Sequence, residues 1–184
     1  NAGGIAGLMR SIGTAAAITN SYNRGAVDCR NGAATSACGG ITGYNDISNQ
    51  AAGSVKNCYS TGTITGNADL TGGVTGVRSE SDKTDYGNDY YINNTVNSAN
   101  GGIAGAEASD TVNKTLAKSG PELKALVADL GDVYTSDSAS PINDGYPVLK
   151  WQTEASEEPE PDTGWDGTTA DTKWYDDSTA NTFT

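Results

Sequence analysis

A five-residue string recurs four times in this chain: Gly3-Gly4-Ile5-Ala6-Gly7, Gly39-Gly40-Ile41-Thr42-Gly43, Gly72-Gly73-Val74-Thr75-Gly76 and Gly101-Gly102-Ile103-Ala104-Gly105. The strings begin at residues 3, 39, 72 and 101, so successive copies stand 36, 33 and 29 residues apart. A period in this range marks a repeat architecture, in which each copy cannot bury its apolar face until a neighbour stacks on it. A second element recurs between the strings. Ile18-Thr19-Asn20-Ser21-Tyr22-Asn23-Arg24-Gly25-Ala26-Val27 is answered by Val55-Lys56-Asn57-Cys58-Tyr59-Ser60-Thr61-Gly62-Thr63-Ile64, with a shortened third copy at Asn88-Asp89-Tyr90. Uneven spacing around preserved motifs is what loop insertions between fixed elements produce.

The local chemistry of the repeats is that of short strands and turns. Gly, Thr, Asn, Ser and Tyr alternate with single Val or Ile, and hydrophobic residues make up only 35% of the 184, so any core is thin. The expected fold is all-β, a β-solenoid of about three to four glycine-rich repeats with one short capping helix and an extended C-terminal tail. In such a stack each layer lies about 4.8 Å from the last, so equivalent inward side chains sit on one another. Ile5, Ile41, Val74 and Ile103 are expected to form one inward stripe and Tyr22, Tyr59 and Tyr90 another, while Asn45 is expected to face outward. Glycine serves the sharp corners, where it also accepts positive φ.

The repeats are assigned to residues 1–118. Ser119-Gly120-Pro121-Glu122 has a capping-box pattern, and Leu123, Leu126, Val127 and Leu130 follow at helical spacing before Gly131, which predicts one amphipathic helix over 119–131. Covering an open end of the stack is the role expected of it, ahead of partner binding. Residues 132–152 close the domain with the alternating run Gly145-Tyr146-Pro147-Val148-Leu149-Lys150-Trp151. Residues 153–163 read as an acidic, proline-bearing linker, and 164–184 as an assembly tail or the start of a following domain. Trp165, Trp174, Tyr175 and Phe183 carry more apolar surface than such a tail leaves in water, hence the expectation that it packs on another copy or a neighbouring domain. An opening inside a repeat and an end at Thr184 without a closing element are expected of a piece of something longer.

With 23 acidic residues against 11 basic ones the formal charge is −12, so a nucleic-acid phosphate backbone or an anionic membrane is repelled. No run of apolar residues reaches the length of a membrane span. Histidine is absent, which removes the usual serine and cysteine triads and the common zinc motifs. Acid pairs are the remaining catalytic route, but Asp28, Asp46, Asp69, Asp82, Asp85 and Asp89 fall mostly on predicted loops without aromatics to seat a sugar. Asp162, Asp166, Asp171, Asp176 and Asp177 could offer carboxylates to calcium, yet no EF-type loop or calcium-binding nonapeptide is present, and a solvated acidic tail is the favoured reading. The glycine string lacks the Lys-Ser or Lys-Thr of a phosphate-binding loop. No cofactor and no enzymatic activity are expected.

Of the three cysteines, Cys29 and Cys38 bracket a step of nine residues between one repeat and the next and are expected to form a disulfide. Cys58, between Val55 and Tyr59, is expected to be a buried thiol.

The string "GGIAG" followed by "VKNCYSTGTITG" resembles the GLUG-motif repeats of large secreted and cell-surface bacterial proteins, including some immunoglobulin A protease-type polypeptides; the resemblance spans roughly residues 1 to 105. "PINDGYPVLKWQ" is similar to the segment that often closes such a domain, and "GWDGTTADTKWYDDSTANTFT" to the opening strand of a following one. The family implies surface architecture and supplies no catalytic residues. The expected protein is therefore a secreted, extracellular or cell-surface structural module that associates head to tail with other copies or an adjacent domain. Its rivals are an adhesin for host glycan or protein, with Tyr86, Tyr90 and Tyr91 as the exposed cluster, and an accessory domain of a secreted protease or carbohydrate-active enzyme. An ice-binding surface is disfavoured because Thr-x-Thr ladders do not recur in register.

Overall fold

In a computed structural model the described residues are 1–11, 13–30, 34–47, 52–80, 82–92, 101–104, 114–138 and 141–153. The chain is mostly strand, with parallel sheets and few short helices. The first repeat contributes β1 (Ala2–Gly3), β2 (Ala6–Ser11), β3 (Ala16–Thr19), β4 (Tyr22–Asn23) and β5 (Val27–Asp28). The second contributes β6 (Cys38–Gly39), β7 (Thr42–Ile47), β8 (Gly53–Lys56), β9 (Tyr59–Ser60) and β10 (Ile64–Thr65). A 3-10 turn at Ala68–Leu70 precedes β11 (Thr71–Gly72), β12 (Thr75–Arg78), β13 (Thr84–Gly87) and β14 (Asp89–Ile92) of the third. Equivalent strands pair in parallel: β1-β6-β11, β2-β7-β12, β3-β8-β13 and β5-β10, while β4-β9-β14 is extended by β15 (Thr115–Lys118). In every one of these sheets the first repeat supplies an edge strand.

The register obeys the sequence motifs. Ile41 donates its N–H to the Val74 carbonyl at 2.9 Å, Val74 donates to Gly102 at 2.8 Å, and Ile5 donates to Ile41 at 3.0 Å, so the four strings are stacked. Thr42 pairs with Thr75, 33 residues on, whereas Gly53 pairs with Thr84, 31 residues on. The loop between them therefore absorbs the uneven period, and the strands stay aligned.

The reason for the glycines is close approach. A Cβ on Gly39 would run into the Thr42 carbonyl of its own turn and into the backbone of Val74 and Gly76 in the next repeat; one on Gly73 would enter the Tyr91 ring. Among the described string glycines only Gly101 has positive φ. The left-handed corner belongs to asparagine instead: Asn20, Asn57 and Asn88 have φ of 51°, 56° and 55°, each one residue before its second-motif partner Ser21, Cys58 or Asp89. Asparagine tolerates this region better than other side chains with a Cβ. Their amides form a ladder, Asn57 donating to Asn20 and Asn88 to Asn57, both at 3.2 Å.

Strand alternation sends neighbouring residues to different cores. The interior of the repeats holds Met9, Ile41, Ile47, Val55, Cys58, Val74, Tyr86, Tyr91 and Ile103. Ile5 departs from the expected inward stripe: it is 46% exposed, since among the described residues its string has a stacked neighbour on one side, the Ile41 string. Asn45, expected outside, is fully buried, since β7 alternates Tyr44 and Asp46 outward with Asn45 and Ile47 inward. The tyrosines of the second motif are not part of the interior either. Tyr59 and Tyr90, with Tyr22 packed against them, belong to a separate core on the opposite face of their sheet.

The segment after β15 completes that second core. The expected single helix is two short pieces, α1 (Gly120–Lys124) and α2 (Val127–Leu130), interrupted at Ala125 and Leu126. Glu122 reaches back to accept from the Ser119 N–H at 2.8 Å and hydroxyl at 2.5 Å, which fixes the start. Leu123, Leu126 and Leu130 pack with Tyr59, Tyr90 and Ile92, so the helical pieces cover the flank of the tyrosine-bearing sheet rather than an end of the stack. A tyrosine row left outside a sheet exposes too much apolar surface, and this is what draws the leucines to the flank. β16 (Tyr134–Thr135) and β17 (Val148–Leu149) form a small antiparallel pair. The chain divides into two units, Asn1–Lys150 and Trp151–Thr184. Of the second, the described residues are 151–153, in the turn α3 (Lys150–Thr153).

Candidate functional site

The densest side-chain network among the described residues joins the closing segment 136–147 to the tyrosine row. Asp137 folds this segment by accepting the backbone N–H groups of Ile142 at 2.8 Å, Asn143 at 2.6 Å and Gly145 at 2.9 Å. Burial pushes its carboxyl up, but the three backbone donors outweigh this and hold it below the usual carboxylate range. Asp144 at φ 53° and Gly145 at φ 82° turn the chain. Asn143 is thereby fully buried, and its amide donates to the Tyr59 hydroxyl at 2.6 Å and the Pro147 carbonyl at 3.1 Å. Tyr59 in turn donates to Pro147. Its ring stacks on Tyr22 at 5.1 Å with the planes 6° apart and tilts against Tyr134 at 6.1 Å. Burial drives the Tyr59 phenol far above its ordinary pKa, so it stays a neutral donor. At the surface Arg24 adds bonds to the Ile142 carbonyl at 2.6 Å and the Asp144 carboxylate at 2.7 Å.

A second polar cluster lies inside the repeats. The Thr42 and Thr75 hydroxyls meet at 2.8 Å, Tyr86 donates to Thr75 at 3.2 Å, and Asn45 donates to Tyr86 at 2.8 Å. Beside it Asp82 accepts from the Ile47 N–H at 3.0 Å, the Thr84 hydroxyl at 2.8 Å and Arg78 at 2.9 Å. Arg78 also lies 5.6 Å from the centre of the Tyr86 ring. These residues tie successive repeats together.

Of the acids considered as catalysts, Asp28, Asp46, Asp82, Asp85 and Asp89 are engaged by other groups of the fold, while Asp69 lines a groove. Asp28 is clamped by Arg30, which lowers its pKa to about 2. Asp46 pairs with Arg10 at 3.2 Å, and Asp85 lies between Lys56 at 2.5 Å and Lys114 at 3.9 Å. Asp89 is fully buried and accepts from the N–H groups of Cys58 at 3.0 Å and Gly87 at 3.1 Å. Burial outweighs those two bonds and raises its carboxyl to about 8. An open groove of about 470 Å³ is lined by Asp69, Leu70, Arg78, Glu80, Asp82 and Ile103, with Asp82 already engaged by Arg78. Among the described residues no group of three or more His, Cys, Asp or Glu is arranged to hold a metal ion, and no helix is long and apolar enough to cross a membrane.

Cys29 and Cys38 form a disulfide with their Cα atoms 6.0 Å apart, packed with Val27 and Ile64 in a small third core. Cys58 is a buried free thiol whose pKa burial pushes up to about 12, which removes the thiolate a nucleophile needs. Tyr86, Tyr90 and Tyr91 do not make an exposed binding cluster: they are 4%, 5% and 4% exposed, divided between the two main cores. Trp165, Trp174, Tyr175 and Phe183, the expected assembly residues, and the five tail aspartates lie outside the described residues. The network around Asn143 is invisible in the sequence because its partner Tyr59 lies 84 residues away. The asparagine ladder has a signal, one Asn at the same place in each second motif, which its left-handed backbone explains.

The chain matches no protein-family model, no characterised protein and no solved structure.

Proposed function

We propose that the chain is a β-solenoid segment of a bacterial extracellular surface protein, with an architectural role: to extend or display, and to assemble with other copies through residues 162–184. The observation that carries the reading is that equivalent strands of successive repeats pair in register in five parallel sheets. Such a stack grows in one direction by adding repeats, which suits a stalk or fibre. Among the described residues, polar side chains hold repeats and closing segment together, as in the Thr42–Thr75 and Asn57–Asn20 ladders and the Asn143–Tyr59 bond. The Cys29–Cys38 disulfide favours an oxidising, extracellular setting. The GLUG-like strings supply the bacterial surface context by resemblance. An adhesin reading loses its tyrosine cluster to the two cores.

Deleting residues 162–184 tests the assembly role. The truncated chain is expected to stay folded by circular dichroism and to run as a monomer in light scattering, while the full chain associates. Equal association of the two chains contradicts the proposal.

A further inference from the structure

We infer that β15 is a guarded edge: Lys114 and Lys118, one at each end of the strand, keep the β15 edges of two copies from pairing with each other. This goes beyond the architectural reading and does not depend on what residues 162–184 do.

β15 belongs to a fourth copy of the second motif that the sequence hides. Its register sets Leu116 beside Tyr90, in the row of Tyr22 and Tyr59, and Thr115 beside Asp89. Lys114, at φ 54°, thereby takes the left-handed corner that Asn20, Asn57 and Asn88 hold in the earlier copies. Lysine has neither the amide that links the asparagines nor their tolerance of this backbone. The asparagine and tyrosine rows both change character here, and after Lys118 the chain leaves the sheet for α1.

What results is an edge strand. β14 is the one strand partner of β15 among the described residues. The Lys114 carbonyl accepts from the Asp89 N–H at 3.2 Å, so by strand alternation Lys114, Leu116 and Lys118 turn their backbone groups to β14, while Thr115 and Ala117 turn theirs to the other side. Such a row of donors and acceptors is a template for another chain. An identical edge fits it well. Two copies related by a two-fold axis at Leu116 pair antiparallel, with Thr115 of one exchanging hydrogen bonds with Ala117 of the other and leucine meeting leucine.

That same register sets Lys114 against Lys118, twice over. Like charges directly opposite destabilise a strand pair. Neither charge is cancelled within its own copy. Asp85, the carboxylate nearest Lys114 at 3.9 Å, is held more closely by Lys56 at 2.5 Å, and the Lys114 side chain is 61% exposed. Lys118 has no carboxylate within ion-pair distance among the described residues; Glu122 feels its charge, but is bound to the Ser119 N–H and hydroxyl.

Charge reversal in the full chain tests the guard. Lys118→Glu turns both lysine contacts into ion pairs and is expected to lower the concentration for half-maximal dimerisation in sedimentation by about tenfold or more, even though it adds to the net negative charge. Carbodiimide is then expected to join position 118 of one copy to Lys114 of another, read by mass spectrometry in a mixture of isotopically light and heavy chains. Lys114→Glu alone creates the same two ion pairs and carries the test if Lys118→Glu weakens the fold. The double variant opposes like charges again and is expected to lose both the dimer and the linkage. Single variants that associate no more than the parent, a dimer without the linkage between 114 and 118, or a double variant that associates as well as the single ones overturn the inference. The linkage is read at β15 itself, so association through residues 162–184 does not imitate it.

Discussion

The two main cores of this molecule lie on either side of one sheet and are built in opposite ways. The interior of the repeats is mainly aliphatic, with Ile41, Val74 and Ile103 stacked at one position, Tyr86 and Tyr91 among them, and a threonine and asparagine network beside them. The flank is aromatic, with Tyr22, Tyr59 and Tyr90 covered by Leu123, Leu126 and Leu130. The interior is held largely by translation: Ile41, Val74 and Ile103 each occupy the same place in successive repeats, so that part of the sequence must repeat. The flank is held by complement, a repeating tyrosine row on one side and a segment that occurs once on the other. A stack of repeats can lengthen the first kind of core without new inventions, whereas the second needs a dedicated cover.

The largest expected effect breaks the interior. Ile41→Asp places an unpaired carboxylate in a fully buried row and is expected to cost about 4 kcal/mol or more, enough to unfold the chain at ambient temperature. Ile5→Asp, at the half-exposed end of the same row, should change the thermal midpoint little. Equal losses for the two variants would deny that stacking on both sides is what buries the row.

Next comes the flank. Leu123→Ala removes a fully buried side chain and is expected to cost about 2–5 kcal/mol. Amide exchange should quicken in 115–134 while the N–H groups of Ile41, Thr42 and Val74 stay protected, if the two cores open separately. Uniform loss of protection would merge them into one unit. A finer cut is Tyr59→Phe, which removes one acceptor of the Asn143 amide and the Tyr59 bond to Pro147 while leaving Asn143 its bond to the Pro147 carbonyl, and is expected to cost about 1 kcal/mol in urea melts.

A separate test is a pH slope. The Asp89 carboxyl is raised to about 8 by burial, against the backbone donors of Gly87 and Cys58, with Asp85 raising it and Lys56 lowering it. A raised pKa means that the folded state binds the proton more tightly than the unfolded chain. The stabilisation from Asp89 is therefore full below about pH 4 and fades as pH climbs through 8. Between pH 5 and 8 the melting midpoint should fall with pH, and Asp89→Ser, which installs the residue found at Ser21, should flatten the slope. A parent and variant with parallel profiles would contradict this.

These contrasts also explain what is legible in the sequence. The parallel strands and the Ile41, Val74 and Ile103 row can be read there because a repeat writes the same constraint several times. The fate of Ile5 cannot, since a motif records which residues align but not how many neighbours each copy has. Tyr22, Tyr59 and Tyr90 are recognisable as a row, but their side of the sheet is decided by Leu123 and Leu130, which carry no trace of the period. Asn45 misleads for a related reason: its burial depends on Tyr86, 41 residues on, accepting its amide. Gly39 and Gly73 stand out as glycines, while the requirement for close backbone approach emerges only with Val74, Gly76 and Tyr91 in place.

The central claim is the register of the parallel stack, and a pair of cross-links tests it. Tyr44 pairs with Val77 on the outward face of β7 and β12, while Arg78, one residue on, pairs with Asn45. A one-residue slip sends every side chain to the other face. Cysteines placed by Tyr44→Cys and Val77→Cys should join on mild oxidation, seen by mass spectrometry as a peptide linking 44 and 77, whereas Tyr44→Cys with Arg78→Cys should not. A linkage between 44 and 78 in preference to 44 and 77, or none in either variant, would contradict the account.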